Sequence, residues 1–382
     1  MSERVTPISA SQAQLICSAC RAAFALESLR WRCDCGGLLD IAISPRLDLD
    51  TLRQRPPTLW RYREAIPVRD ERHVVSLGEG VTPLASVAVG GRELLVKQDQ
   101  LFPSGSYKDR GAAVLVSAVR AAGVRHVVED SSGNAGAAIA AYCARAGIAC
   151  DIYVPEGTSA AKLAQIELSG ARLVRVPGNR EDTARAVWQA AQGAYYASHS
   201  WNPFFLHGTK TWAYEVCEQL GWRAPDAVAL PVGNGTLLLG ADIGFRELEE
   251  MGLIPRVPRL IAIQAANCAP LYRAFREGRD SASAIERSET VAEGIAIAAP
   301  VRGSQILSAV RRSGGEILAV GEAEIVDELR GLLRQGYCVE PTAAATIAGA
   351  RAYLRAAADP GLVVSTLTGH GLKAMDKLSH LL

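Results

Sequence analysis

The sequence predicts an α/β protein: two doubly wound lobes with a cleft between them, preceded by a small cysteine-rich segment. Three observations predict it. From about residue 92 onward, short apolar strands alternate with amphipathic helices, the pattern of a parallel sheet with crossover helices. Glycine-rich turns stand where strands pass into helices, the edge at which such sheets bind ligands. Four of the nine cysteines fall before residue 36.

The elements follow in order. Residues 93–97 read as a strand and 110–122 as a helix closed by Gly123. Residues 125–128, 148–154 and 173–176 read as strands; 135–145, 160–168 and 181–192 read as the helices between and after them. A second series has strands at 227–230 and 260–264 around a helix at 237–251, then helices at 325–334 and 343–358 and a strand at 362–367. No fixed-period repeat is present. The expected division is a cysteine segment over 1–45, a connector and the first part of a large lobe over 46–110, a small lobe over 111–204, and the rest of the large lobe over 205–382.

At 382 residues and 49% hydrophobic, the chain can bury a sizeable core. Its 41 basic and 40 acidic residues leave a net charge of +1, without the concentrated positive field that nucleic acid or an anionic membrane would require. No run approaches the roughly 20 apolar residues of a membrane span. Residues 1–13 lack a basic stretch followed by an apolar one, so a cytoplasmic location is expected. In a reducing compartment, cysteines are thiols, metal ligands or catalysts. Cys17, Cys20, Cys33 and Cys35 are spaced C-x2-C-x12-C-x-C, with Gly36 and Gly37 free to take a positive φ. Two such turns converge on a tetrahedral thiolate site, and four ligands make a bound zinc structural. The competing reading is four buried thiols. Residues 44–75, rich in Arg and Pro, read as a connector anchored by Trp60 and Tyr62, against a solvated linker.

Lysine is scarce: Lys97, Lys108, Lys162, Lys210, Lys373 and Lys377 are the only six. One of them ends the turn P-S-G-S-Y-K at the start of a helix. A helix N-terminus disfavours a cation and so favours the neutral amine of Schiff-base chemistry. The bland alternative for Lys108 is a capping turn with an exposed K-D-R. A second loop, D-S-S-G-N-A-G (130–136), brings Asn134 and close-approach glycines to a strand end, as a plain turn also would. A third, Val232-Gly233-Asn234-Gly235-Thr236, is a phosphate cradle by its chemistry: exposed N–H groups, a positive helix end and one hydroxyl. It is neither G-x-G-x-x-G nor a Walker loop. The fourth, T-L-T-G-H-G (366–371), offers Thr368 and His370, the latter an acid/base candidate or a turn residue. A zincin motif and a serine-hydrolase elbow are absent.

These loops, with S-L-G-E-G-V-T-P-L (76–84), V-E-P-T-A-A (339–344) and L-T-G-H-G-L-K (367–373), resemble in content and order the tryptophan-synthase-β-like (fold type II) pyridoxal-phosphate enzymes, most closely the threonine synthases. The resemblance implies pyridoxal 5'-phosphate in the cleft, with Lys108 as the Schiff-base lysine. It implies Asn134 on the cofactor's 3-hydroxyl, Val232, Gly233, Asn234, Gly235 and Thr236 around its phosphate, and Thr368 on the pyridine nitrogen. Ser132, Gly133 and Ala135, with Ser104, are then the substrate contacts. The implied partner is a small amino acid, and the implied assembly a homodimer. The implied reaction is γ-elimination of phosphate from O-phosphohomoserine and hydration at the β carbon, yielding threonine.

The chain departs from the threonine synthase pattern at Phe102, where Asn is usual, at Ala135, where Thr is usual, and at Phe205, where Arg is common. A hydroxyl and a guanidinium suit a substrate phosphate, so these departures favour a second reading: a serine/threonine ammonia-lyase or a cysteate-synthase-like β-replacement enzyme. Lys210, Arg180 and Lys97 are the candidates to compensate. A third reading is a zinc-ribbon protein whose body binds a phosphate ligand without catalysis. The remaining cysteines, Cys143, Cys150, Cys217, Cys268 and Cys338, read as core thiols.

Overall fold

The computed structural model describes residues 13–178, 180–286 and 288–382, with residues 161 and 162 described in backbone only. Residues 1–12, on which the expectation about a leader over residues 1–13 chiefly falls, and the side chain of Lys162 therefore lie outside the described residues. Among these, no helix is long and apolar enough to cross a membrane. The chain forms two compact units. One takes the chain up to Gly80, then Arg110–Ser159 and Leu163–Thr211; the other takes Val81–Asp109, Ala160–Lys162 and Trp212–Leu382.

The first unit opens with a three-stranded antiparallel ribbon, Gln14–Cys17 (β1), Ala23–Ala25 (β2) and Leu39–Ala42 (β3), in the order β2-β1-β3. Two-residue periodicity sends Leu15 and Cys17 of β1 to one face, and both are fully buried. After it comes Leu49–Arg53 (α1), capped by the Asp48 carboxylate on the Asp50 N–H. The connector is not solvated: Tyr62 is fully buried, and Trp60 Nε1 donates to Glu79 at 2.9 Å. Gly80 is required there, because a Cβ would lie 2.2 Å from the Leu59 nitrogen.

The body follows as Leu84–Val89 (β4), Arg92–Lys97 (β5), Lys108–Ala121 (α2), His126–Glu129 (β6), Asn134–Ala146 (α3), Ala149–Pro155 (β7), Ala160–Leu168 (α4), Arg172–Val176 (β8), Arg180–Ala190 (α5) and Tyr195–Tyr196 (β9). Then come Pro203–Thr209 (α6), Thr211–Gln219 (α7), Ala227–Pro231 (β10), Thr236–Glu250 (α8), Arg259–Ala265 (β11), Pro270–Arg276 (α9), Gly303–Arg312 (α10) and Glu316–Val320 (β12). Glu322–Arg334 (α11), Pro341–Ala356 (α12), Val363–Thr366 (β13) and Met375–Leu381 (α13) complete it. The expected elements are all present. Helix α11 begins earlier than its apolar spacing suggests, because Glu324 reaches back to accept the Gly321 N–H at 2.8 Å.

In the first unit, β8-β7-β6-β9 form a parallel sheet, so the loops after β6 and β9 leave from one edge, side by side. In the second, six strands run β12-β11-β10-β13-β5-β4, all parallel except the β4–β5 hairpin, which turns through Gly90 and Gly91, both at positive φ. Along β10 and β11, Ala227, Ala229, Ile261 and Ile263 pack into one core with Ala343, Ile347 and Ala348 of α12. The alternating Val228, Leu230, Leu260 and Ala262 are equally buried and so need cover on the opposite face; helices α8 and α10 lie against these strands.

The C-terminal end of β5 carries a fully buried lysine. Lys97 Nζ pairs with Glu215 of α7 at 2.8 Å and donates to Thr82 O and Gln219 Oε1. Removing one partner of a buried pair strands the other charge. Lys97→Met should therefore cost about 3–5 kcal/mol in urea denaturation, and adding Glu215→Leu should recover most of that loss. Equal stability of the single and double variants would remove the pair from this role.

Candidate active site

Strands β10, β13 and β5 are consecutive in the sheet, and each ends in one of the glycine-rich loops. The loop after β5 is stitched to the loop after β13: Gln100 N–H donates to Leu367 O, Tyr107 N–H to Thr368 O and His370 N–H to Gly105 O, each within 3.0 Å. Lys373 Nζ, largely buried, donates to Ser104 O at 2.8 Å, and its burial lowers its pKa. Gly105 has φ +78°, a turn that an L side chain rarely adopts. Ser104 gives its backbone N–H and its hydroxyl to the Asp109 carboxylate, so this proposed substrate contact is oriented into the brace of its own loop.

That brace delivers Lys108 to the first position of α2. Its Nζ donates to Tyr107 Oη at 2.6 Å and to Thr236 Oγ1 at 3.3 Å, and the two hydroxyls are 3.1 Å apart. Thr236 is the first residue of α8 and the last of the V-G-N-G-T loop, so the amine lies beside the cradle. Gly235 has φ +75°, and a Cβ there would stand 2.3 Å from Ile306 Cδ1; one on Gly233 would stand 2.8 Å from Ile297 Cγ1. Both positions thus admit only glycine, beside a helix N-terminus where an anion is stabilised. Thr368 is buried, and among the described residues its Oγ1 has no hydrogen-bond partner; the same holds for Ser106 Oγ. A buried orphan hydroxyl is costly unless something else satisfies it. The amine, the cradle and the orphaned Thr368 hydroxyl fit the aldehyde, phosphate and ring nitrogen of pyridoxal phosphate.

In the first unit, the loop after β6 carries Ser132, Gly133, Asn134 and Ala135 into the start of α3. Gly136 is obligatory, because a Cβ would lie 1.9 Å from Ser131 O. Beneath this loop sit Glu129 and Asp130, both buried and overlooked in the sequence; two acids closing the apolar strand H-V-V were the available signal. Burial pushes Glu129 up to about 7 and raises Asp130 as well. Phe205 is fully buried with its ring against Gly111, so it fills core and holds no ligand. Of the three compensating cations, Lys97 is committed to Glu215 and Lys210 is fully buried. Arg180 is exposed, and its charge favours ionised Glu129 and Asp130.

The four ribbon cysteines converge. Their sulfurs all lie within 4.8 Å of one another, with Cys17–Cys35 and Cys20–Cys33 each at 3.6 Å. A Cβ on Gly37 would meet Cys17 Sγ at 2.8 Å. The Cys20 N–H on its sulfur pulls Cys17 down to about 6, whereas Cys33, despite the Cys35 N–H on it, is pushed up to about 12 by burial and by the neighbouring sulfurs.

Replacing Thr368 with Val tests the orphan hydroxyl. Cofactor-free protein should gain about 1 kcal/mol in chemical denaturation, since a buried unsatisfied group is removed. The same variant should bind pyridoxal phosphate more weakly in equilibrium dialysis. A loss of stability without cofactor would mean that the hydroxyl already has a partner.

Residues 75–369 match the family of pyridoxal-phosphate dependent enzymes. The chain is 39% identical over 379 residues to a threonine synthase of Methanocaldococcus jannaschii, covering 94% of this chain and 93% of that one. It is 37% identical over 335 residues to a threonine synthase of Mycobacterium tuberculosis, covering 84% and 89%. Among solved structures, a T.th. threonine deaminase superposes with a TM-score of 0.64 at 25% identity, over 76% of this chain and 92% of that one. Maize serine racemase shares the fold at a TM-score of 0.69 and 20% identity, over 86% and 98%. With the family's match running from the connector through the Thr368 loop, the chain belongs to the pyridoxal-phosphate dependent enzymes.

Proposed function

We propose that the protein is a threonine synthase, releasing phosphate from O-phosphohomoserine and adding water to form threonine. The observation that carries this reading is the meeting of Lys108, Tyr107 and Thr236 at the head of the V-G-N-G-T cradle, in a chain whose threonine synthase relatives align over more than four fifths of its length. Pyridoxal phosphate, when bound, supplies the electron-withdrawing ring that stabilises negative charge at substrate carbons. Val232, Gly233, Asn234, Gly235 and Thr236 would hold its phosphate, Asn134 its 3-hydroxyl and Thr368 its ring nitrogen. Lys108 would hold its aldehyde and then carry protons at the substrate's α and β carbons. The Tyr107 hydroxyl, 2.6 Å from Nζ, orients that amine. The N–H groups of Ser132, Gly133 and Ala135, at the start of α3, receive the substrate carboxylate. The exposed Arg180, near Asp130, supplies the cation that Phe205 does not. Cys17, Cys20, Cys33 and Cys35 hold one structural zinc; a tetrahedron with Zn–S bonds of about 2.3 Å has edges of about 3.8 Å, close to their spacing.

A second reading, an ammonia-lyase, is favoured by the apolar Phe205 and Ala135 in place of phosphate-binding side chains. The two readings part on products. Purified protein given O-phosphohomoserine should release phosphate and threonine in equal amounts, whereas 2-oxobutyrate from threonine with no phosphate release would select the lyase. Arg180→Ala should raise the KM for the phosphorylated substrate about tenfold and leave kcat nearly unchanged; an unchanged KM would assign the phosphate elsewhere. Metal analysis should find one zinc per chain, and Cys33→Ser should lose it. A metal-free wild-type protein would leave the four thiols as core.

A further inference from the structure

At the base of the 131–134 loop lies a set of buried polar side chains that the reaction does not use. Glu129 ends β6, and both its oxygens are occupied: Oε2 accepts the Asp130 N–H at 2.9 Å, and Oε1 pairs with His199 Nδ1 at 2.7 Å. Asp130 Oδ1 accepts the Tyr196 hydroxyl at 2.8 Å. Tyr196 belongs to β9, and His199 lies in the segment that follows it. These two bonds therefore cross from β6 to β9 at the edge where both loops leave the sheet. The Phe205 ring stands edge-on to the imidazole, 6.0 Å between centroids, and limits its swing. Apolar side chains of similar volume would close this space at lower cost, since buried charge is weak as a source of stability. A hydrogen-bonded pair at a loop base fixes direction, which apolar packing does not.

We propose that the buried Glu129–His199 pair is a positioning device. It ties the 131–134 loop to the segment after β9, so that the N–H groups of Ser132, Gly133 and Ala135 meet an amino-acid carboxylate in one geometry. The inference rests on the reading of that loop as the carboxylate site. The ionisable and charged groups facing Glu129 are Asp130, the residue that follows it, His199 and Tyr196 from β9 and its loop, Arg180 of α5 and Cys150 of β7. Ionised Glu129 is the better acceptor for both its partners, so the loop is held most firmly above the pH at which this carboxyl ionises. With burial raising that point to about 7, KM should fall as pH rises through neutrality.

The test uses the full-length holoenzyme and its His199→Ala, His199→Gln and Glu129→Gln variants. Hydrogen–deuterium exchange of amides 131–135 should quicken about tenfold in both His199 variants. KM for the amino-acid substrate should rise about fivefold with kcat within about twofold, and the fall of KM through neutrality should be absent in Glu129→Gln. Unchanged exchange would overturn the proposal, as would faster exchange with an unchanged KM. If the histidine variants do not fold, the wild-type profile decides: no change of KM between about pH 6 and 8 would overturn it. Should the wild type fail to turn over O-phosphohomoserine, the functional reading falls, while the exchange arm still decides whether the pair holds the loop.

Discussion

A four-residue strand decides where the chemistry of this chain lies. Val363–Thr366 enters the second sheet between β5 and β10, although it is the last strand in sequence. Its ladder sets Val364 opposite both Leu95 and Val228, and Thr366 opposite Lys97. Because all three strands run parallel, their carboxyl ends share one edge. The amine loop, the phosphate cradle and the Thr368 loop must then lie side by side. The ladder continues beyond the strand, with Leu367 N–H donating to Lys97 O. Joined through β13, the three loops leave one edge of the sheet, where Lys108 reaches Thr236 of the cradle.

Burying Lys97 at this junction is the cost of the arrangement. The position must be extended for β5 to pair with β13, and it faces the interior. An ammonium there is tolerated because Glu215, Thr82 O and Gln219 satisfy it. The pattern recurs in the other sheet, where Glu129 ends β6, Asp130 follows it, and the two are answered by His199 and Tyr196. Each functional edge rests on buried polar pairs rather than on apolar packing alone, and hydrogen-bonded groups hold a direction where methyl groups hold only a volume.

What can be read from the chain follows from the range of the interactions involved. Helices α3 and α8 are legible because their apolar spacing and the glycines before them are local. The loops at Lys108, Gly133 and Gly235 are legible because close backbone approach leaves few residue choices. Strand β9 is not, since two residues carry no period and its pairing with Val127 and Val128 spans the intervening βαβ units. Edge strand β4 escapes a reading that starts the body at β5, although T-P-L and G-G mark its two ends. Lys97 stands out only as one of six amines; its partner Glu215 lies in a helix with no local signal that it would be buried. Glu129 is hidden for the same reason, as its histidine is 70 residues away.

The two anion sites of the proposed function would use different chemistry, and the difference would bear on selectivity. The cradle at Gly233 and Gly235 is backbone, fixed by positions where Ile297 and Ile306 leave no room for a Cβ. Such a site suits a ligand that stays bound, because it costs little to preorganise and tolerates no side-chain motion. A guanidinium at Arg180 is exposed and flexible, and loses side-chain entropy on each binding event. That suits a group that must arrive, leave and be discriminated from a hydroxyl. With Phe205 sealed into the core against Gly111, discrimination under the proposed function would fall to the first turn of α5. A cation there interacts with Glu129 and Asp130 as well as with the ligand. If the substrate phosphate binds at Arg180 as proposed, substrate charge and the ionisation of the loop base are electrostatically coupled: an arriving anion competes with the two carboxyls for the same guanidinium and favours their protonated forms.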